Sequence, residues 1–149
     1  MENAMPGLTF QQFEVGKKYL STRRTITEAD IVMFAGLSGD YNPLHTDETF
    51  CRETGMESRI AHGMLAMSIA TGLAHQLGIF VGTTRALREM KIKYKNPVFP
   101  GDTVQLEVTI EEKKEIPKSG GGIVTCQCLL KNQDGKTVIK STWKCMISS

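Results

Sequence analysis

The sequence predicts a single α+β domain in which an antiparallel sheet wraps around one long central helix. Three observations carry that prediction. Residues 63–80 are apolar around most of a helical circumference, with Leu65, Met67, Ile69, Ala70, Leu73 and Leu77 spread over its faces, and a helix apolar on nearly all sides must be buried. Residues 87–95, 104–116, 122–132 and 136–147 read as strands, separated by Asn-Pro, Pro-Gly-Asp, Ser-Gly-Gly-Gly and Gln-Asp-Gly turn signals. Within them Val104, Leu106, Val108 and Ile110 alternate with polar neighbours, as do Ile139, Trp143, Cys145 and Ile147, the pattern of a sheet with one wet face. A chain of 149 residues fits one domain with a proper core, so residues 1–149 are read as one unit.

The elements follow in order. Residues 1–14 are a polar, irregular lead-in, and residues 15–25 a first strand. Thr27 offers an N-cap oxygen with Asp30 three residues on, and Ile31, Phe34 and Ala35 continue at helical spacing until Gly36 to Gly39 end the helix. Gly39 permits a sharp reversal and Pro43 holds Asn42 extended. Residues 47–53 read as a short acidic turn. The central helix over residues 63–80 would be roughly 27 Å long, and Gly72, His75 and Gln76 interrupt it too much for a membrane span. Residues 119–122 lack the Lys-Ser/Thr of a phosphate-binding loop and read as a hairpin tip.

Bulk properties exclude several classes. Eighteen basic against sixteen acidic residues leave a formal charge of +2, too balanced to imply binding to nucleic acid or a membrane surface. Cys51, Cys126, Cys128 and Cys145 show no Cys-x-x-Cys spacing, so they read as buried free thiols of a reducing compartment. Residues 1–10 lack a basic region followed by an apolar stretch, the mark of a signal peptide or anchor. A cytoplasmic protein is expected.

The chemistry concentrates in Ser38-Gly39-Asp40-Tyr41-Asn42-Pro43-Leu44-His45 and, downstream, Ile60-Ala61-His62-Gly63-Met64. The first run pairs a carboxylate with an imidazole five residues on, in a turn-forming segment. The second places a glycine at the start of the apolar helix, where backbone N–H groups have no intrahelical partner and lie at the positive end of the dipole. Asp40 can take a proton from water, His45 can donate one near neutral pH, and the Gly63 N–H can meet a developing oxyanion. Reversible addition of water to an activated double bond needs those three groups. Taken alone, Asp40 also fits an Asx turn or a helix stop, and His45 a satisfied surface histidine; their joint spacing with the helix entry favours a catalytic pair. His62 reads as structural or substrate-lining, and His75 as capping or packing. His45, Asp47, His62 and His75 form no recognised ligand spacing, so no metal is expected.

These segments resemble the MaoC-like hydratase family, which includes (R)-specific 2-enoyl-CoA hydratases and 3-hydroxyacyl-thioester dehydratases. Phe34, Ser38-Gly39-Asp40, Asn42-Pro43-Leu44-His45 and Asp47 fit its recurring motif. Ile60-Ala61-His62-Gly63-Met64 matches its helix entry, and Tyr94 with Asn96-Pro97-Val98-Phe99-Pro100-Gly101-Asp102 resembles its strand exit. The ordered matches run from about Thr27 to Val104. Cys51, where the family commonly has alanine, and Tyr94, where it usually has phenylalanine, depart from the pattern without touching Asp40, Asn42, His45 or Gly63.

The resemblance implies a hot-dog fold and hydration of trans-2-enoyl thioesters to (R)-3-hydroxyacyl thioesters. It implies Asn42 as the residue that holds the water or orients the pair, and Gly63 as the oxyanion donor. It also implies a homodimer with joined sheets and active sites near the interface. The substrate would be an acyl-CoA or acyl-carrier-protein thioester, its phosphopantetheine arm part of the substrate, with no separate cofactor. Tyr41 and His62 would contact substrate. Met67, Thr71 and Ala74 follow Gly63 at helical spacing and would shape the acyl pocket, while Lys93 and Lys95 would meet phosphates unless they only form a solvated strand face.

Two other readings compete. A hot-dog thioesterase usually carries an acidic group on or near the central helix, and residues 63–80 contain no Asp or Glu. A non-catalytic acyl-thioester-binding subunit would not need the intact Asp-Asn-His-Gly set.

Overall fold

The computed structural model describes residues 7–149; the first six residues of the expected lead-in lie outside that range. The chain forms β1 (Lys18–Thr25), α1 (Glu28–Ser38), α2 (Pro43–Thr46), α3 (Glu48–Glu53), α4 (Gly63–Gln76), β2 (Thr84–Tyr94), β3 (Thr103–Ile116), β4 (Gly121–Lys131) and β5 (Thr137–Ser148). All five strands join one antiparallel sheet in the order β1-β3-β4-β5-β2. Register shifts interrupt β1, β2 and β3, and such bulges bend a sheet.

The core forms where the apolar side of α4 meets one face of this sheet. Leu65, Ala66, Met67, Ile69, Ala70 and Leu73 of α4 are buried in one cluster with the predicted Val104, Leu106, Val108 and Ile110 of β3. Trp143, Cys145 and Ile147 of β5 are buried as their alternation predicts. Ser141 breaks the apolar run on that strand, yet its hydroxyl accepts a hydrogen bond from the Trp143 indole at 2.8 Å, so a buried polar pair is satisfied. All four cysteines are free and buried, as expected.

Three sequence expectations are corrected. The lead-in is not merely irregular: Phe10–Gln12 make one 3₁₀ turn, with Phe10 and Phe13 buried and the Phe13 ring stacked 5.9 Å from Phe80. Burying two aromatics orders a segment that reads as polar. The central helix stops at Gln76 rather than Phe80, giving 14 residues and about 21 Å. Gly78 and Gly82 adopt φ of +74° and +73°, a region that glycine enters freely and a helix does not use. Residues 47–53, read as a turn, contain α3, capped by the Asp47 carboxylate accepting from Phe50 N–H at 2.9 Å.

Candidate active site

The first site segment begins where α1 ends. The predicted capping box at the other end of this helix is present: Thr27 Oγ1 accepts from Asp30 N–H and the Asp30 carboxylate accepts from Thr27 N–H. Gly39, at φ +76°, turns the chain out of α1 and into Asp40. Asp40 is then held from several sides. Its N–H donates to Ser38 Oγ at 3.2 Å, and its Oδ1 accepts from Asn42 N–H at 3.2 Å. The Asx turn is therefore real, but it occupies only one carboxylate oxygen.

Asn42 starts α2. Its side-chain oxygen accepts from Leu44 N–H at 3.3 Å, and Pro43 fills the first helical position, where a missing N–H costs nothing. This four-residue helix points His45 inward, leaving it 8% exposed. The His45 Nδ1 lies 2.7 Å from the Ile60 carbonyl. Since a carbonyl only accepts, Nδ1 carries a hydrogen, which leaves Nε2 as the ring nitrogen that faces the site. Nε2 faces Asp40 Oδ2 at 3.9 Å, beyond direct hydrogen-bond range and suited to a bridging water.

The second segment approaches from the opposite side. Ile60 N–H donates to the Leu44 carbonyl and Ala61 N–H to the Val98 carbonyl, at 3.1 and 2.7 Å, which fixes the entry into α4. Arg59 anchors the same segment: its Nε donates to Glu48 of α3 at 2.9 Å and its guanidinium to Glu28 of α1. The Arg59 hydrogen bond holds the Glu48 carboxyl below its ordinary range, and the two carboxylates push the Arg59 pKa further up. His62 precedes α4 and is 2% exposed. Its Nε2–H donates to the Asp40 carbonyl at 2.9 Å, and its ring stacks on His45 at 3.8 Å between centroids. Among the described residues its Nδ1 has no hydrogen-bond partner.

Gly63 opens α4, where the first N–H groups lack intrahelical acceptors. A Cβ here would meet the Tyr94 ring at 2.6 Å, so only glycine lets that ring lie against the helix start. Together these groups line a cleft of about 830 Å³. Asp40, His45 and His62 form its polar wall, and Phe34, Met64, Tyr94, Val98 and Ile139 much of its apolar one.

The cleft gathers some expected site residues and leaves others outside. Asp40, His45, His62, Gly63 and Lys95 line it. Asn42 stands behind the pair as a helix cap, and Tyr41 is exposed beside it. Met67 is buried in the core. Thr71 and Ala74 line a separate cavity of about 240 Å³ with Phe80, Leu87 and Trp143. Lys93 lies directly opposite Lys140 on β5. Of the wall residues, Val98 falls in the motif over residues 96–102 without being singled out for the site, and Ile139 reads as ordinary strand core.

Asp40, His45 and His62 also bring potential metal-ligand atoms within 4.8 Å of one another. The two rings, however, lie only 28° from parallel. A metal bound by both imidazoles must lie in both ring planes, a poor match to two stacked, nearly parallel rings.

This arrangement has close relatives. The family profile described as MaoC like domain matches residues 10–129. The chain belongs to the MaoC-like family. An (R)-specific enoyl-CoA hydratase of Aeromonas caviae is 37% identical to this MaoC-like chain over 108 residues, covering 72% of the chain and 78% of the relative. Protein MaoC of Klebsiella aerogenes is 38% identical over 104 residues, covering 70% of the chain. The match takes in 31% of that protein, so the chain spans about a third of its length. Among solved structures, a monoamine oxidase regulatory protein from Archaeoglobus fulgius superposes with a TM-score of 0.90 at 33% identity, covering 98% of both chains. The fold is the MaoC-like hot-dog, as the motif resemblance implied. No helix among the described residues is long and apolar enough to cross a membrane.

Proposed function

We propose that this chain is a hydro-lyase that reversibly hydrates trans-2-enoyl thioesters to (R)-3-hydroxyacyl thioesters. The observation that carries the reading is the Asp40 carboxylate facing His45 Nε2 at 3.9 Å, in a cleft that also contains the start of α4. In an enoyl thioester the carbonyl makes C3 electrophilic. A water seated between Asp40 and His45 attacks C3 and loses a proton to Asp40. The enolate oxygen forming at the thioester accepts from Gly63 N–H, and a lost donor in comparable sites costs roughly 3–4 kcal/mol.

The proton for C2 comes from His45. Its Nδ1–H is committed to the Ile60 carbonyl, so the transferable proton is the one on Nε2, and His45 acts as the imidazolium. After addition Asp40 is protonated and His45 neutral; proton return across the gap restores the pair. Dehydration runs the same steps backward. Asn42, as the cap of α2, would orient the pair from behind. This chemistry calls on no metal or separate cofactor.

The acyl carrier is coenzyme A or acyl-carrier protein. Lys95 at the cleft, with Lys93 opposite Lys140 on the adjacent strand, supports an anionic arm there. Thr71 and Ala74, which line the separate cavity one to two turns farther along α4 than Met67, would take the far end of a long acyl chain there, and Tyr41 the cleft entrance. The chain works as a homodimer joined through β2, whose outer edge has no partner strand among the described residues and which exposes Leu87 and Tyr94. Tyr94 also lines the cleft, so that pairing brings the site to the interface. The thioesterase alternative is disfavoured by the lack of any acidic residue in α4.

The test is loss of enoyl ultraviolet absorbance on mixing the protein with crotonyl-CoA, with chiral analysis of the product. Decay to (R)-3-hydroxybutyryl-CoA without free thiol is expected. Thiol release would contradict the reading in favour of a thioesterase.

A further inference from the structure

Asp40 and His45 do not touch within hydrogen-bond distance, yet the proposed reaction depends on their relative placement. One side chain contacts both. The His62 Nε2–H donates to the Asp40 carbonyl at 2.9 Å, and the same ring lies face to face with His45, centroids 3.8 Å apart. On its other side the ring is packed against Phe34 of α1 at 5.0 Å. His62 is thus clamped between α1 and α2 at the mouth of α4.

The tautomer of His62 follows from these contacts. The hydrogen on Nε2 is held by a carbonyl, and among the described residues Nδ1 has no hydrogen-bond partner. The ring presents His45 with a flat face and gives Asp40 a single, fixed donor.

We infer that His62 is the positioning residue of the pair, setting the Asp40 main chain by its hydrogen bond and the His45 ring plane by its stack. This rests on the hydratase reading above. It assigns His62 no contact with the reacting atoms, which takes the structural side of the sequence reading of this residue as structural or substrate-lining.

The two contacts can be separated by substitution. His62→Phe keeps a ring for the stack and removes the donor; His62→Gln keeps an amide donor and removes the stack. Steady-state hydration of crotonyl-CoA by the parent and both variants, with thermal melts alongside, tests the inference. Each variant is expected to lose at least about tenfold in kcat with KM within about twofold, the pattern of a transition-state effect. In an Asp40→Asn background, His62→Gln is expected to cost much less than in the parent, because groups acting as one unit are non-additive. Parental kcat in both folded variants would overturn the inference. A rise in KM alone would also overturn it and make His62 a substrate contact. Should one variant fail to fold, the other decides by the same criteria. A parent without hydratase activity would remove the hydratase reading, and this inference with it.

Discussion

Asp40 spends one carboxylate oxygen on the Asx turn with Asn42 and keeps the other facing His45. This division lets a turn residue also serve as a base. Asp40→Asn preserves the turn acceptor, so it should fold normally and lose at least about 10² in kcat; His45→Ala should lose a similar amount, since acid and base groups typically contribute that much. Melts beside the kinetics check this, and stability losses that track the activity losses would contradict it. Gly63 makes a steric prediction. Gly63→Ala drives a methyl into the Tyr94 ring, and overpacking of this kind costs about 1–3 kcal/mol. A Tyr94→Ala change in the same chain should restore much of that stability, as a double-mutant cycle of melts would reveal.

At the scale of elements, α1 and α3 are braced to the segment entering α4 by Arg59 bonded to Glu28 and Glu48. The Glu48 carboxyl is held below its ordinary value of 4.5 by Arg59. A depressed folded pKa means that this stabilisation is present above the unfolded value and is lost as pH falls through the folded one. The stability advantage of the parent over Glu48→Gln should therefore be full near pH 7 and shrink on acidification below about pH 4.5. Melts across that range that stay parallel would contradict the brace. The Thr27–Asp30 box predicts that Thr27→Ala costs about 1 kcal/mol, or about 2–4 °C in Tm for a chain of this size.

The same elements explain what the sequence discloses. The start of α1 and the alternation of β3 were legible because cap chemistry and period-two burial are local. Four residues of α2 and six of α3 are too short for periodicity to register. The end of α4 was obscured because Ile79 and Phe80 continue the apolar pattern; they pack from a turn made possible by Gly78 and Gly82.

For the molecule as a whole, the site is legible to the extent that it is contiguous. Asp40, Asn42 and His45 sit within six residues and reveal their chemistry as a motif. The opposite wall comes from Val98 and Ile139, carried by distant segments, and only the folded sheet brings it near. Association belongs to this scale too. Light scattering should give twice the chain mass, and Leu87→Asp, on the free edge strand, should shift the population toward one chain and lower activity together. A fully active monomeric parent would contradict assembly through β2.

In the proposed reaction one face of the cleft delivers both elements of water. Groups 3.9 Å apart reach the same face of a bound double bond, so addition must be syn. Hydration of crotonyl-CoA in deuterium oxide, followed by NMR of the 3-hydroxybutyryl product, measures this directly. A single 2-deuterio diastereomer, corresponding to syn addition with R configuration at C3, is expected. An anti product, or a mixture formed at the moment of addition, would contradict the Asp40–His45 mechanism.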